Sequence, residues 1–371
     1  MKICYLGDAR STHVRRWVGY FAKEHEIDLI TFSYTKKEDT FVPEEVYEKM
    51  GVRVHKVSKK MPFLLFAPLK IRKLIKKIKP DIVHAHYVTQ YGFCGAFSGF
   101  HPLVVSAWGS DVLVDPNKSK ILKLMVKFAL KRADLITCDG EHIKESLMEL
   151  GAKTRKICII YFGTDTKKFK PRGRSEKIQE KLEVVDSPTV ISIRGLKPIY
   201  DVESFIASAP LVLKEIPKAK FIIAGEGPEE NHLKELAKSL GILDNVRFVG
   251  LIPNDKLPHY LTSMDVYVST SLSDAGLAAS TAEAMACGLP VVITDFGDNR
   301  KWVEDGVNGF IVPLKDPKAL AEKIIYLLKH EDIRKKFGMR NRRIIEERNN
   351  YYKEMEKMEK IYIELVERYK S

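Results

Sequence analysis

Short apolar runs rich in β-branched residues alternate with helical patterns along nearly the whole chain, and they do so in two separate series. The first opens with Lys2–Leu6 and continues through Ile27–Phe32, Val52–Val57, Ile82–His86, Leu103–Ser106, Leu135–Cys138 and Ile157–Ile160. Between the first two runs, Val14, Trp17, Val18 and Phe21 mark one face of a helix. A polar, breaker-containing stretch, Phe169-Lys170-Pro171-Arg172-Gly173, separates the series. The second has strand patterns at Thr189–Ile193, Phe221–Ala224, Val246–Val249, Val266–Ser269, Val291–Thr294 and Phe310–Val312. Its helical patterns fall at Val202–Ile216, Glu229–Ser239, Ser280–Cys287 and Pro317–Leu328. Strand–helix alternation is the signature of parallel sheets with helical crossovers. It predicts an α/β chain of two Rossmann-like doubly wound domains, residues 1–170 and 171–340, with ligands expected where strand carboxyl ends face a cleft. Spaced apolar residues in the charged stretch from Arg334 to Tyr369 (Ile344, Ile345, Tyr351, Met355, Met358, Ile361, Leu365) predict one or two amphipathic helices. Residues 341–371 are expected to pack back on the first domain, the alternative being a solvated tail.

A chain of 371 residues with 45% apolar and 30% charged side chains has the balance of a soluble globular protein. Its greasiest run, Phe63–Leu69, is far too short to span a bilayer. The amino terminus enters a strand pattern directly, without the pattern of a cleaved leader. Five scattered cysteines (Cys4, Cys94, Cys138, Cys158, Cys287) form no CxxC pair and suggest reduced thiols, hence a cytoplasmic location, with neither disulfides nor a zinc site. The net charge of +13 lies wholly within residues 1–170; residues 171–371 balance to zero. A one-sided basic field attracts polyanions: lipid headgroups, a phosphorylated acceptor or nucleic acid. Nucleic acid is set aside, because no binding motif with interleaved aromatics accompanies the charge. After the apolar Met61–Phe66 stretch, Ile71, Leu74, Ile75 and Ile78 form one stripe among the cations of Lys70–Lys79. Two readings stand: an interfacial helix giving peripheral contact at the inner face of the membrane, or, preferred, a helix packed on its own sheet.

The segment from Asp274 to Val292 reads as a small-residue loop (Gly276, Leu277), a helix start at Ser280 and Thr281, a carboxylate in the first turn (Glu283), and a Gly288-Leu289-Pro290 stop. Such a start offers unpaired N–H groups and a helix dipole to a diphosphate, and Glu283 to a ribose diol. A plain capped helix would have the same local pattern.

The stretch Glu283-Ala284-Met285-Ala286-Cys287-Gly288-Leu289-Pro290-Val291-Val292 resembles the most recognisable part of the group-1 retaining glycosyltransferases of the GT-B fold. In the family's order follow likenesses to other segments: Phe221–Pro228, Val246–Gly250, Gly306–Pro313, and Thr164–Pro171 at the expected interdomain linker. The resemblance covers most of residues 160–330 and is looser before them. It implies transfer of a sugar from a nucleotide-sugar donor to a saccharide or lipid-linked hydroxyl, with retention, and with neither metal nor cofactor. The implied donor residues are Arg194, Lys197, Gly225, Phe248, Asp274, Gly276, Leu277, Ser280, Thr281 and Glu283. The family acid eight positions before the glutamate is Ala275 here, and Asp274, nine before, is taken as its displaced substitute. Lys197 stands one residue early relative to the family lysine.

On the acceptor side the resemblance implies Gly7, Asp8, His13, Arg16 and Trp108, the last in place of a family histidine. Ser11 or Thr12 can equally cap the first helix. His84 and His86 share a face of one strand, and His86 is nearer the loop. His86 and Asp111, which matches the family aspartate of Ser106–Asp111, are the catalytic candidates. A non-catalytic nucleotide-sugar-binding subunit is the rival reading, prompted by Ala275 and Trp108.

Overall fold

The computed structural model describes residues 1–33, 44–58, 66–274 and 276–371. Met61–Leu65 and Ala275 lie outside the described residues. The chain divides into two compact units, Met1–Phe162 with Lys353–Ser371, and Gly163–Tyr352.

The first unit carries a seven-stranded parallel sheet of order β3-β2-β1-β4-β5-β6-β7. Its strands are β1 (Lys2–Leu6), β2 (Glu26–Ser33), β3 (Arg53–Ser58), β4 (Ile82–His86), β5 (Leu103–Ser106), β6 (Leu135–Cys138) and β7 (Ile157–Ile159). Burial on both faces explains the unbroken apolar runs: all five residues of β4 and six of the eight in β2 are buried. The Thr12–Phe21 helix buries Val14, Trp17, Val18 and Phe21, and its start is capped by Ser11, whose Oγ accepts from Val14 N. The Ala67–Ile78 helix buries Ala67, Ile71, Ile75 and Ile78. Its apolar stripe is therefore spent on its own domain, as the preferred reading of Lys70–Lys79 expects and against the interfacial one: a crossover helix must cover the sheet it returns to.

The second unit holds a six-stranded parallel sheet of order β10-β9-β8-β11-β12-β13. The strands are β8 (Thr189–Ile193), β9 (Lys220–Ala224), β10 (Val246–Gly250), β11 (Val266–Ser269), β12 (Val291–Thr294) and β13 (Gly309–Val312). One apolar core runs through it, from Val190, Phe205 and Phe221 to Ile324 and Phe337.

The carboxyl-terminal stretch forms two helices, Glu331–Arg348 and Tyr351–Lys370. The second buries Met355, Met358, Tyr362 and Leu365. Each such Met contributes about 1.5–3 kcal/mol of apolar burial. The domain limits differ from those expected: the first crossing falls after Phe162 and the second after Tyr352. The family resemblance puts the interdomain linker at Thr164–Pro171, yet Thr164 bridges to Asn350, and Arg342 donates to the carbonyls of Phe169 (2.6 Å) and Thr166 (3.0 Å). That stretch is thus part of the second unit.

Candidate functional site

In the second sheet the strand order reverses between β8 and β11, which are neighbours. The loops leaving their carboxyl ends diverge there and open a place for a ligand. Arg194 directly follows β8, Asp274 lies in the loop after β11, and Ser280 stands in the first turn of the Ala279–Ala286 helix. These three side chains meet. Arg194 Nη2 donates to Asp274 Oδ1 at 2.5 Å and Nη1 to Ser280 Oγ at 3.5 Å. The guanidinium lies over the Tyr200 ring, 4.3 Å from its centroid. Ser280 Oγ is 2.8 Å from Tyr267 Oη, which also accepts from Thr281 Oγ1 at 3.4 Å. Arg194 and Asp274 side chains are only 10% and 12% exposed, so the pair is held in a poorly hydrated place. Burial pushes the Asp274 carboxyl above its ordinary range, and the Arg194 charge pulls it back. Arg194 Nε is buried without a hydrogen-bond partner. A planar guanidinium committed to a carboxylate on one side and orphaned on another has donors left for an anion.

Two glycines bring the neighbouring loops together. A Cβ on Gly225, at φ +147°, would meet Arg194 O at 2.0 Å, and one on Gly227 would meet Leu196 O at 2.1 Å. The approach is fixed by Arg194 N donating to Ala224 O (3.1 Å) and Leu196 N to Glu226 O (3.0 Å). Arg194 is aimed by this backbone ladder.

In the first sheet the order reverses between β1 and β4. Here the strand ends carry rings. His86, 1% exposed, lies 5.3 Å from Tyr5, 5.2 Å from Trp17 and 5.1 Å from Trp108 between ring centroids. His13 stacks on Phe162 at 4.1 Å and meets Trp108 edge-on at 5.5 Å. Burial, with the neighbouring His13 adding a smaller effect, lowers the His86 ring to about 3. Burial, and then Arg16, lowers His13 to about 4. Both are neutral near pH 7. Both nitrogens of His86, Nδ1 of His13 and Nε1 of Trp17 are buried without hydrogen-bond partners. His84, one pleat below, is saturated: Nδ1 contacts Tyr362 Oη, and Nε2 lies 2.7 Å from Ser106 Oγ.

Asp111 is fully buried, and its oxygens accept from Val88 N (2.7 Å) and Trp108 N (3.0 Å). That geometry ties two strand-end loops together around an enclosed carboxylate. His86 is likewise enclosed by rings, with no exposed edge from which to exchange a proton with solvent.

Comparison with known proteins joins the two halves. Residues 173–344 match the family model described as glycosyl transferases group 1, and residues 2–140 match the model described as glycosyl transferase 4-like. The chain belongs to the group-1 glycosyltransferases. This glycosyltransferase is 24% identical over 351 residues to N-acetyl-alpha-D-glucosaminyl L-malate synthase of Bacillus anthracis, covering 92% of this chain and 90% of that one. It is 26% identical to an Escherichia coli UDP-Gal:alpha-D-GlcNAc-diphosphoundecaprenol alpha-1,3-galactosyltransferase, over 80% of this chain and 79% of the other. Among solved structures, Anabaena HepE in complex with UDP superposes with a TM-score of 0.84 at 20% identity, covering 98% and 100% of the two chains. The likeness is one of fold, the two-Rossmann-domain GT-B class.

Of the residues singled out in the glycosyltransferase sequence, Arg194, Asp274, Ser280 and Thr281 come together. Gly276 and Leu277 are buried in the loop before them. Lys197 is exposed beyond that cluster. The helix begins at Ala279 with Ala278 as its cap, so Glu283 stands in the second turn, not the first, and is half-buried. Gly225 is the close-approach glycine already described, whereas Phe248 packs its ring against the core. Gly7 is buried and donates to Ile30 O at 3.1 Å; Asp8 holds Arg10 at 3.0 Å; Arg16 donates to Phe162 O at 3.4 Å. Tyr267 and Tyr200 escaped the sequence reading. Tyr267 sits inside an apolar strand pattern, where only its hydroxyl hints at a polar task.

Proposed function

We infer that this glycosyltransferase moves a sugar from a nucleoside-diphosphate sugar to a hydroxyl of a saccharide or lipid-linked acceptor, with retention at the anomeric carbon and without a metal ion. The reading rests on the Arg194 cluster at the switch point of the second sheet, a fixed cation beside the start of a helix. Breaking the bond between sugar and diphosphate builds negative charge on the leaving oxygen. A pre-placed guanidinium and helix-start amides stabilise that charge more than they stabilise the ground state. In this reading Arg194 meets the diphosphate, Asp274 orients Arg194 and takes the place of the family acid, and Glu283 accepts from the ribose. The solved HepE complexes with UDP and with UDP-glucose support a nucleotide-sugar donor. The named E. coli relative supports a sugar or lipid-linked acceptor.

The deciding experiment is donor hydrolysis and transfer over a panel of nucleotide sugars, with and without EDTA, the product anomer being read by NMR. Arg194→Ala is expected to lower kcat about 100- to 1,000-fold. Glu283→Ala is expected to weaken donor binding by roughly tenfold or more. Donor binding with neither transfer nor hydrolysis would make the chain a binding subunit, and an unchanged rate in Arg194→Ala would remove that residue from the reaction.

A further inference from the structure

The first unit exposes an apolar stripe that its fold does not use. The Lys120–Arg132 helix buries Val126, Ala129 and Leu130 against its own domain. On the opposite side Ile121 is 71% exposed, Leu124 66% and Phe128 38%. Spacings of three and four residues place these on one outward line. Phe128 continues through Phe93 (5.7 Å between ring centroids) to Phe97 (6.2 Å), itself 38% exposed, so the apolar surface runs from one helix onto the next. Lys120, Lys123, Lys127 and Lys131 flank the line, all exposed, and no Asp or Glu occurs between Asp115 and Asp134.

We propose that this face, Ile121, Leu124 and Phe128 within their lysine border, docks on an anionic lipid bilayer. Large apolar side chains held in water at such exposure mark an interaction surface. Their combination with long cationic side chains is what an interfacial helix needs: apolar groups enter the acyl boundary while lysines reach the headgroup phosphates. A second copy of the chain is a poor occupant, since pairing this face with itself would set lysine against lysine. A polynucleotide would meet the lysines and leave Ile121 and Leu124 in water. Among the described residues no helix is long and apolar enough to cross a membrane, so the contact is one of surface docking. The proposal stands apart from the proposed reaction and can fail without it.

The test is co-sedimentation of the full chain with vesicles of phosphatidylcholine alone and of phosphatidylcholine with phosphatidylglycerol. The expected result is binding only to the anionic vesicles, weakening as salt is raised. Two surface variants, Ile121→Glu with Leu124→Glu, and Lys120→Glu with Lys123→Glu and Lys127→Glu, are each expected to bind roughly tenfold or more weakly. Both should keep the wild-type melting curve, because the altered side chains make no core contact. No binding to anionic vesicles would overturn the proposal. So would binding that survives the Ile121/Leu124 variant, which would leave charge alone at work, or a dimer in sedimentation velocity that this variant dissolves.

Discussion

At the residue scale, two buried carboxyls, Asp111 and Asp274, and two imidazoles, His13 and His86, share burial as the main cause of their altered protonation. Asp111 is the clearest case. Desolvation raises its carboxyl to about 6 even though backbone amides bond to it. The folded chain therefore keeps this proton to a higher pH than the unfolded chain, whose aspartate titrates near 3.8. Stability is expected to fall as pH rises from about 4 to about 6, by about 3 kcal/mol. Urea unfolding across that range should show the decline in the wild type and a flatter profile in Asp111→Asn; an identical slope in the variant would assign the effect to another group. Asp111 was legible as an important position from its loop pattern. Its backbone partners were not, because an aspartate at a strand end looks the same in sequence whatever donates to it.

At the level of elements, the second unit's site is built by loops that approach within van der Waals contact of one another. Gly227→Ala would drive a methyl group toward Leu196 O, 2.1 Å away, where backbone cannot yield without moving Arg194. Donor turnover is expected to drop by about 100-fold, since a displacement of about 1 Å costs that much in a positioned site, while the melting temperature falls only modestly. Full activity in Gly227→Ala would show that the ladder between these loops does not aim Arg194. The Gly225-Glu226-Gly227-Pro228 turn was visible in the sequence, as was the helix near Ser280. The placement of Glu283 was not: a start one residue earlier, at Ala279, moves it past the first turn. Helix starts without a capping side chain, as here at Ala278, leave no sequence mark of their own.

On the scale of the whole molecule, the last helix completes the first unit, although it is joined to the second. Tyr362 Oη, fully buried, lies 3.1 Å from Tyr5 Oη and contacts His84 Nδ1. Tyr362→Phe strands that imidazole nitrogen and is expected to cost about 1–3 kcal/mol. Hydrogen exchange should then show lost protection in β1 and β4 and unchanged protection in β8 to β13; equal loss in both sheets would mean that the helix supports the whole chain. The charged carboxyl-terminal stretch gave a helical period but the wrong member of an adjacent pair, Ile361 in place of Tyr362, because hydrophobicity ranks isoleucine above a tyrosine whose hydroxyl is satisfied only in the folded state.

What the order of residues determined by itself is the pair of parallel sheets and the family likeness, whereas the crossings after Phe162 and Tyr352 took the fold to place. The sheets and the likeness follow from local period, β-branched content and contiguous motif, all of which act along the chain. Tertiary structure alone decided that Arg194 pairs with Asp274 across 80 positions, that Asp111 turns to backbone amides, and that the last helix serves the first sheet. Those outcomes depend on which groups lose water together, and desolvation is a property of neighbours in space.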